Sequence, residues 1–426
     1  MNMREPRRLF AAAALAATGL LATIGGTPAQ ELLFWSNQAQ PVEEAQAMRD
    51  NVLAGFEKPV TYSPQEPGPF VTRIKAEAEA ASGTMALIGG LHGDFSSFPD
   101  ILTDLSGVDA STVNPNYLEL GKLGGAEQKY IPWMQATYVM VANKQALEHL
   151  PEGVDINAIT YEQLAAWGKA LAEATGSPKI GFPAGPKGLM HRFFQGYLYP
   201  SYTGGVATKF KSAEAEQMWT AFRDLWQYVT PASTGYGFMQ EPLATGEVWV
   251  AWDHVARLKD ALNAKPDDFV VFPVPAGPAG RANMPVLAGM AVPTTSPAPE
   301  DAKQLIAYML KPETQVATLS ATGFFPVVDV ALPDTISASA KMLQPVVAAQ
   351  SKAPDSLPVL LPIGLGEAGG KFNKVYADTF QRIVLAGQDV REVLDQEAQN
   401  LQAVFDETGA ACWAPDPKSE GACKVE

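Results

Sequence analysis

The chain runs to 426 residues, of which 47% are hydrophobic, and its 46 acidic side chains outnumber 31 Lys and Arg to leave a formal net charge of −15 at pH 7. That balance disfavours nucleic acid as a partner, because phosphate backbones are bound through clustered Lys and Arg. The length and apolar content suffice for two sizeable cores.

The first residues, MNMREPRRLFAAAALAATGLLATIGGTPAQ, place Arg4, Arg7 and Arg8 before an Ala/Leu-rich run that ends near Thr27, Pro28 and Ala29. They read as a signal peptide over residues 1–29, cleaved near Ala29 or Gln30, which directs the chain to the periplasm. Arg7-Arg8-Leu9-Phe10 also has the look of a twin-arginine core, which leaves the export route open. Removing residues 1–30 takes away three arginines and one glutamate and moves the net charge from −15 to −17. No later stretch approaches the ~18 uncharged apolar residues that a spanning helix needs, so no stable membrane insertion is expected. Neither cysteine lies near the cleavage site, where a lipid anchor would need one.

Short apolar runs then alternate with helical patterns. ELLFWS (31–36), TMALIGG (84–90) and TYVMVAN (137–143) have the length and composition of buried strands. TYEQLAAWGKALAEATG predicts a helix with Thr160 as N-cap, Gln163 completing the cap, Leu164, Trp167 and Leu171 inward and Gly176 beyond the end. SAEAEQMWTAFRDLWQYV (212–229) repeats this with Ser212 as cap and Met218, Phe222 and Leu225 as the apolar stripe. EVWVAWD (247–253), FVVFPVP (269–275) and LAGMAVPT (287–294) read as further strands, and PEDAKQLIAYML (299–310) as a helix. The alternation means an α/β architecture. No single linker stands out, and the proline-rich stretch from Asp268 to Pro299 suggests a chain that passes between lobes more than once. At the end, Cys412 and Cys423 bracket a polar, Pro-bearing tail and are expected to form one short disulfide in an oxidising compartment.

Several segments occur in the order found in carbohydrate-binding proteins of ABC importers, the large family that includes the maltose-binding type. KYIPWMQATYVMVANKQAL (129–147) resembles that family's interlobe segment, and INAITYEQLAAWGKAL its Thr-Trp-x-Glu-Leu helix start, with Tyr161 in place of tryptophan. LATGEVWVAWDHVARL (243–258) resembles the Gly-Glu-led strand that ends at the ligand. VFPVPAGPAGRANMPVLAGMAVPTTSPAPEDAKQLIAYMLKPETQ resembles the P-x-P-x-G-P block with its return strand and helix, and ATGFFPVV (321–328) the Gly-x-x-Pro exit. The resemblance covers roughly Glu31 to Phe405. It implies a two-lobed periplasmic binding protein fold of type II-like topology, with residues 30–136 plus 288–325 as one lobe and 137–287 plus 326–426 as the other. It further implies a ligand cleft between lobes joined by multiple hinge crossings, a small sugar or sugar derivative as ligand, a membrane permease as partner, a monomer, no cofactor and no enzymatic activity.

A sugar presents apolar C–H faces and a rim of hydroxyls, so a receptor needs aromatic plates with fixed carboxylates, amides or imidazoles. By the resemblance, Trp35, Asn37 and Gln38 at the end of the first strand, His92 and Asp94 after TMALIGG, and Trp133 and Gln135 at the hinge lie on the ligand side. Trp252 and Asp253 end another strand, Gly289 and Met290 sit in the return strand, and Gly370 and Lys371 open a helix near the cleft. Core packing is the competing reading for Trp35 and Trp133, and an ordinary turn for His92 and Asp94. Trp252 alternates with Val248 and Val250 while Asp253 points the other way; Trp252 is favoured as the plate. Trp167, Trp219 and Trp226 sit at helical spacing and are assigned to the core. Arg192 and Lys371 could meet an anionic ligand group or be solvated surface. Gly364-Leu365-Gly366-Glu367-Ala368-Gly369 followed by Asp389 matches a dinucleotide-binding string but lacks its strand context. The histidines at 92, 149, 191 and 254 show no metal-ligand spacing, and no GxSxG occurs. The enzymatic alternative is a secreted glycoside hydrolase using two of Asp94, Asp253 and Glu241 as a carboxylate pair.

Overall fold

A computed structural model of the chain describes residues 31–39 and 41–426. The signal-peptide reading of residues 1–29 lies outside them. Eleven strands run through the described residues: β1 (Leu32–Ser36), β2 (Val60–Pro64), β3 (Leu87–Leu91), β4 (Ile131–Ala136), β5 (Tyr138–Asn143), β6 (Ile180–Gly181), β7 (Val250–His254), β8 (Phe269–Phe272), β9 (Arg281–Asn283), β10 (Val286–Ala291) and β11 (Ser356–Pro358). They build two larger sheets, one in the order β2-β1-β3-β10-β4 and one in the order β6-β7-β5-β8, with β9 and β11 as a separate pair. In the first sheet β1 pairs parallel with β2 and β3, and β10 returns antiparallel between β3 and β4. Every residue of β10 is buried, as expected for a strand covered on both faces.

The connection between the sheets explains why no linker is visible in the sequence. β4 ends at Ala136 and β5 begins at Tyr138, so the chain leaves one sheet and enters the other across Thr137 alone. Only Met284 and Pro285 separate β9 from β10. A third strand of chain joins here, because Gln135 and Phe325 exchange backbone hydrogen bonds of 2.9 and 2.6 Å. The buried Thr137 hydroxyl lies 2.9 Å from the Tyr197 hydroxyl, 3.1 Å from Asn283 Oδ1 and 3.0 Å from the Met284 carbonyl. Nearby, the Gln350 amide donates to Asn283 Oδ1 and to the Tyr138 carbonyl and accepts from Val274 N–H. Buried polar groups at the crossings are thus paired with one another, which helps to fix the chain paths.

The helices form where capping and periodicity place them. In Tyr161–Thr175 the Thr160 hydroxyl accepts from Gln163 N–H at 3.2 Å while Gln163 Oε1 accepts from Thr160 N–H at 2.9 Å, and Gly176 closes the helix at φ +76°. Ser212 caps Ala213–Trp226 from one side, its hydroxyl accepting from Ala215 N–H at 3.2 Å. Asp389, the acidic residue of the dinucleotide-like string, is the N-cap of Val390–Thr408 and accepts from Glu392 N–H at 3.0 Å, a structural role that accounts for it. The tail is packed rather than frayed. Cys412 and Cys423 are disulfide-bonded, Trp413 packs between Phe372 and Phe405, and the Asp416 carboxylate accepts from the backbone N–H groups of Val206, Ala207 and Thr208 at 2.8, 2.9 and 3.0 Å.

Candidate functional site

Two adjoining cavities, of about 780 and 710 Å³, share Asn37, Gln38, Leu91, Arg192 and Leu361 and so form one continuous cleft. One wall comes from the first sheet. Past the end of β1, Asn37 Nδ2 donates to Asp94 Oδ2 at 2.7 Å, and Leu91 N–H donates to the same oxygen at 2.8 Å. Burial pushes the Asp94 carboxyl above its ordinary range, and those two donors and Arg192 oppose the shift. Gln38 donates to Asn37 Oδ1 at 2.7 Å, which orients both amides at the cavity edge.

The other wall is built around the end of the second sheet. Tyr138, the first residue of β5, is buried and lines the larger cavity, with its ring stacked on Trp252 at 4.6 Å between centroids and 3° between planes. His254, opposite Tyr138 in the ladder, meets it edge-on at 5.0 Å and accepts from Ala256 N–H at 3.3 Å, capping the helix Val255–Ala264. That helix carries Arg257, whose guanidinium lies over Phe238 at 4.3 Å and donates to the Gly237 carbonyl at 3.0 Å. It also carries Lys259, which reaches across the cleft to Glu44 Oε1 at 2.8 Å. His191 and Arg192, on the short helix Met190–Phe193, complete this wall. Burial, and then the Arg192 and Arg257 charges, push the His191 imidazole down to about 3; burial and Arg257 do the same for His254. The cleft therefore offers an aromatic face, neutral imidazoles, amides, a carboxyl and guanidinium donors, a set suited to holding a polar solute.

The sequence profile of the bacterial extracellular solute-binding proteins matches residues 53–344. The chain belongs to this family. No curated protein sequence matches it. The GacH receptor of Streptomyces glaucescens, solved unliganded and with acarbose, shares 19% identity over 88% of this chain and 98% of its own, with a TM-score of 0.68. Maltose-bound MalE3 of T. maritima shares 16% identity over 88% and 99%, with a TM-score of 0.70. UgpB of Mycobacterium tuberculosis, in complex with glycerophosphocholine, shares 18% over 89% and 99%, with a TM-score of 0.69. These likenesses establish the two-lobed α/β fold of the solute-binding proteins.

In this solute-binding protein the residues expected on the ligand side divide into two groups. Asn37, Gln38 and Asp94 meet at the cleft, and Gly370 lines its smaller cavity. The others are held elsewhere. Trp252 and Asp253 are fully buried, which corrects the assignment of Trp252 as the exposed plate. β7 continues through His254, so Trp252 lies two residues short of the strand's end, on the face expected but beneath Tyr138 and against Phe193 and Tyr197. The Asp253 carboxylate accepts from the N–H groups of Met239 and His254 at 2.9 and 2.7 Å. Trp133 is fully buried against Phe34, and Trp35 is covered by the Arg73 guanidinium at 4.2 Å. His92 is buried and paired with the Tyr130 hydroxyl at 2.7 Å. Gln135 is bound to the hinge, donating to the Pro326 carbonyl at 2.9 Å. Gly289 lets the Tyr130 ring approach, Met290 is core, and Lys371 forms an exposed ion pair with Glu407. Sequence reasoning missed Tyr138, His191, His254 and Arg257. The signal was present in DHVARL: His254 and Arg257 fall three apart at a strand-to-helix junction, on one side of the emerging helix.

Proposed function

We propose that this protein is the periplasmic substrate-binding component of an ABC importer, capturing a small sugar or sugar derivative by hinge closure and delivering it to the membrane permease. One observation carries the reading: a continuous polar and aromatic cleft has walls from both larger sheets, which are joined directly across Thr137, with the segments at 284–285 and 325 running beside that link, the geometry in which rigid lobes turn about short connections. Sheet membership supports lobes of residues 30–136 plus 288–325 and 137–287 plus 326–426, with β10 beginning two residues before the second boundary. Tyr138, Asn37, Gln38, Asp94 and His254 line the cleft and supply partners for hydroxyls. The carbohydrates named for the GacH receptor and MalE3 support the same ligand class.

The protein acts as a binder rather than a glycoside hydrolase. Asp94 lines the smaller cavity of the cleft, Asp253 is sealed in the core, and Glu241 lines an adjoining pocket that meets the larger cavity at Phe238 and Gln240, so no two of the proposed carboxylates line the same cavity among those described. A thermal-shift panel of monosaccharides, disaccharides, polyols and sugar acids, followed by incubation with labelled oligosaccharides, tests the reading. Saturable stabilisation with stoichiometric, unaltered ligand is the expected result. Turnover, or no stabilisation by any member of the panel, would overturn it.

A further inference from the structure

The cleft holds an arginine that the fold itself leaves almost unused. Arg192 lines both cavities, yet among the described residues its guanidinium makes a single hydrogen bond, to Gln195 Oε1 at 3.4 Å, and no salt bridge. The other cations of the same wall are engaged. Lys259 is neutralised by Glu44, and Arg257 is held by the Gly237 carbonyl and the Phe238 ring. A guanidinium has five donors in a planar fork, and Arg192, partly exposed on the cleft wall, presents most of them to whatever enters the cleft.

A second group points the same way. Tyr138 is buried to 3% exposure, its ring is fixed by Trp252, and its hydroxyl makes no hydrogen bond among the described residues while the residue lines the cavity. Arg192 and Arg257 both act on that hydroxyl and on the neighbouring His191, which they help keep uncharged. Asp94 is the carboxylate that acts on Arg192, but it stands on the opposite wall with one oxygen already taken by Asn37 and Leu91. Donors and positive charge thus gather on one wall, and the hydroxyl-binding amides and carboxyl on the other.

We infer that the cleft contains an oxyanion subsite formed by Arg192 and the Tyr138 hydroxyl, so that the solute is an anionic sugar derivative: a carboxylate, phosphate or sulfonate at that wall, and hydroxyls at Asn37 and Asp94. The inference rests on the sugar-binding reading above and narrows its ligand class. A planar guanidinium pairs with two oxygens of such a group at once, and the phenol hydroxyl adds a third contact.

Calorimetric titrations of the full-length mature protein with D-glucose, D-glucuronate and D-glucose 6-phosphate at fixed ionic strength test it, together with Arg192→Gln and Tyr138→Phe. Both variants should fold, since Arg192 has one long hydrogen bond to lose and Tyr138→Phe keeps the stack on Trp252; unliganded melts check this. In parallel, phenylglyoxal labelling of Arg192 is followed by mass spectrometry in sulfate and in chloride of equal ionic strength. Anionic probes should bind at least about tenfold more tightly than glucose, and that ratio should collapse towards one in Arg192→Gln. Glucose binding as tightly as its acid and phosphate would overturn the subsite and leave sugar capture standing. If no sugar probe binds but sulfate shields Arg192, the subsite stands and the sugar reading fails. If none binds and sulfate gives no more protection than chloride, the subsite is refuted.

Discussion

Trp252 lies flat beneath Tyr138 and is walled in by Phe193 and Tyr197, so its ring supports the cleft from behind without reaching the solute. Trp252→Ala should therefore destabilise the unliganded protein by about 3–5 kcal/mol, read by chemical denaturation, because truncating a buried aromatic leaves a cavity as well as losing transfer energy. An unchanged denaturation midpoint with lost affinity would return Trp252 to the ligand face. The buried histidines set a pH dependence of definite sign. His92 is pushed down to about 4 by burial, from an ordinary value near 6.5. Between those values the unfolded chain takes up a proton that the folded chain refuses, so this residue makes acid favour unfolding. Asp253, raised by burial to about 6, works in the opposite direction, because the folded state gains its proton first as pH falls. His92→Gln keeps a partner for the Tyr130 hydroxyl and removes the titration. Its stability should fall less steeply from pH 6.5 to 4.5 than that of the wild type; equal slopes would mean that His92 titrates normally in the folded protein.

Among the elements, β10 shows why a glycine sits in the middle of a fully buried return strand. A Cβ at Gly289 would stand 2.1 Å from Tyr130 Cδ2, and the strand shifts register against β4 at this point. Gly289→Ala should cost about 1–3 kcal/mol through overpacking, measurable as a lowered denaturation midpoint with solute affinity retained in the folded fraction. The tail is the second case. Its composition suggests a mobile end, yet the disulfide spans 11 positions and the Asp416 carboxylate gathers three backbone donors from residues 206–208. Replacing both cysteines by serine should lower stability by about 2–3 kcal/mol by releasing that loop in the unfolded state. No change in the denaturation midpoint would show that Trp413 and Asp416 hold the tail unaided.

For the whole molecule, the Lys259–Glu44 pair is a charge contact that spans the cleft, joining a helix that follows β7 to one that follows β1. Both side chains are largely but not fully covered, so the pair contributes about 1 kcal/mol to holding the walls together. Glu44→Gln should shift the unliganded protein toward open forms by roughly fivefold, seen as a larger radius of gyration in small-angle scattering. Ligand should contract both proteins. An unchanged radius at saturating ligand would remove hinge closure while leaving binding intact.

Six of the eleven strands of the described residues, the helices at Tyr161–Thr175, Ala213–Trp226 and Pro299–Met309, the helix caps at Thr160 and Ser212, the pairing of the two cysteines and membership of the solute-binding family were legible along the chain. These depend on local periodicity, on capping chemistry within three or four residues, and on ordered motifs. The cleft was legible at Asn37 and Gln38 past the end of β1, at Asp94 past the end of β3, at Gly370, and at Arg192, which the sequence left open as a contact for an anionic group. Tyr138, His191, Arg192, His254 and Arg257 come together from segments as far apart as β5, the helix at 190–193 and the end of β7. Period-2 alternation assigns a side chain to a face but not to a depth along the strand, so it could not tell Trp252, covered by Tyr138, from Tyr138 itself. That depth is set by which neighbouring strand reaches further toward the cleft, and only the pairing of β5 with β7 decides it.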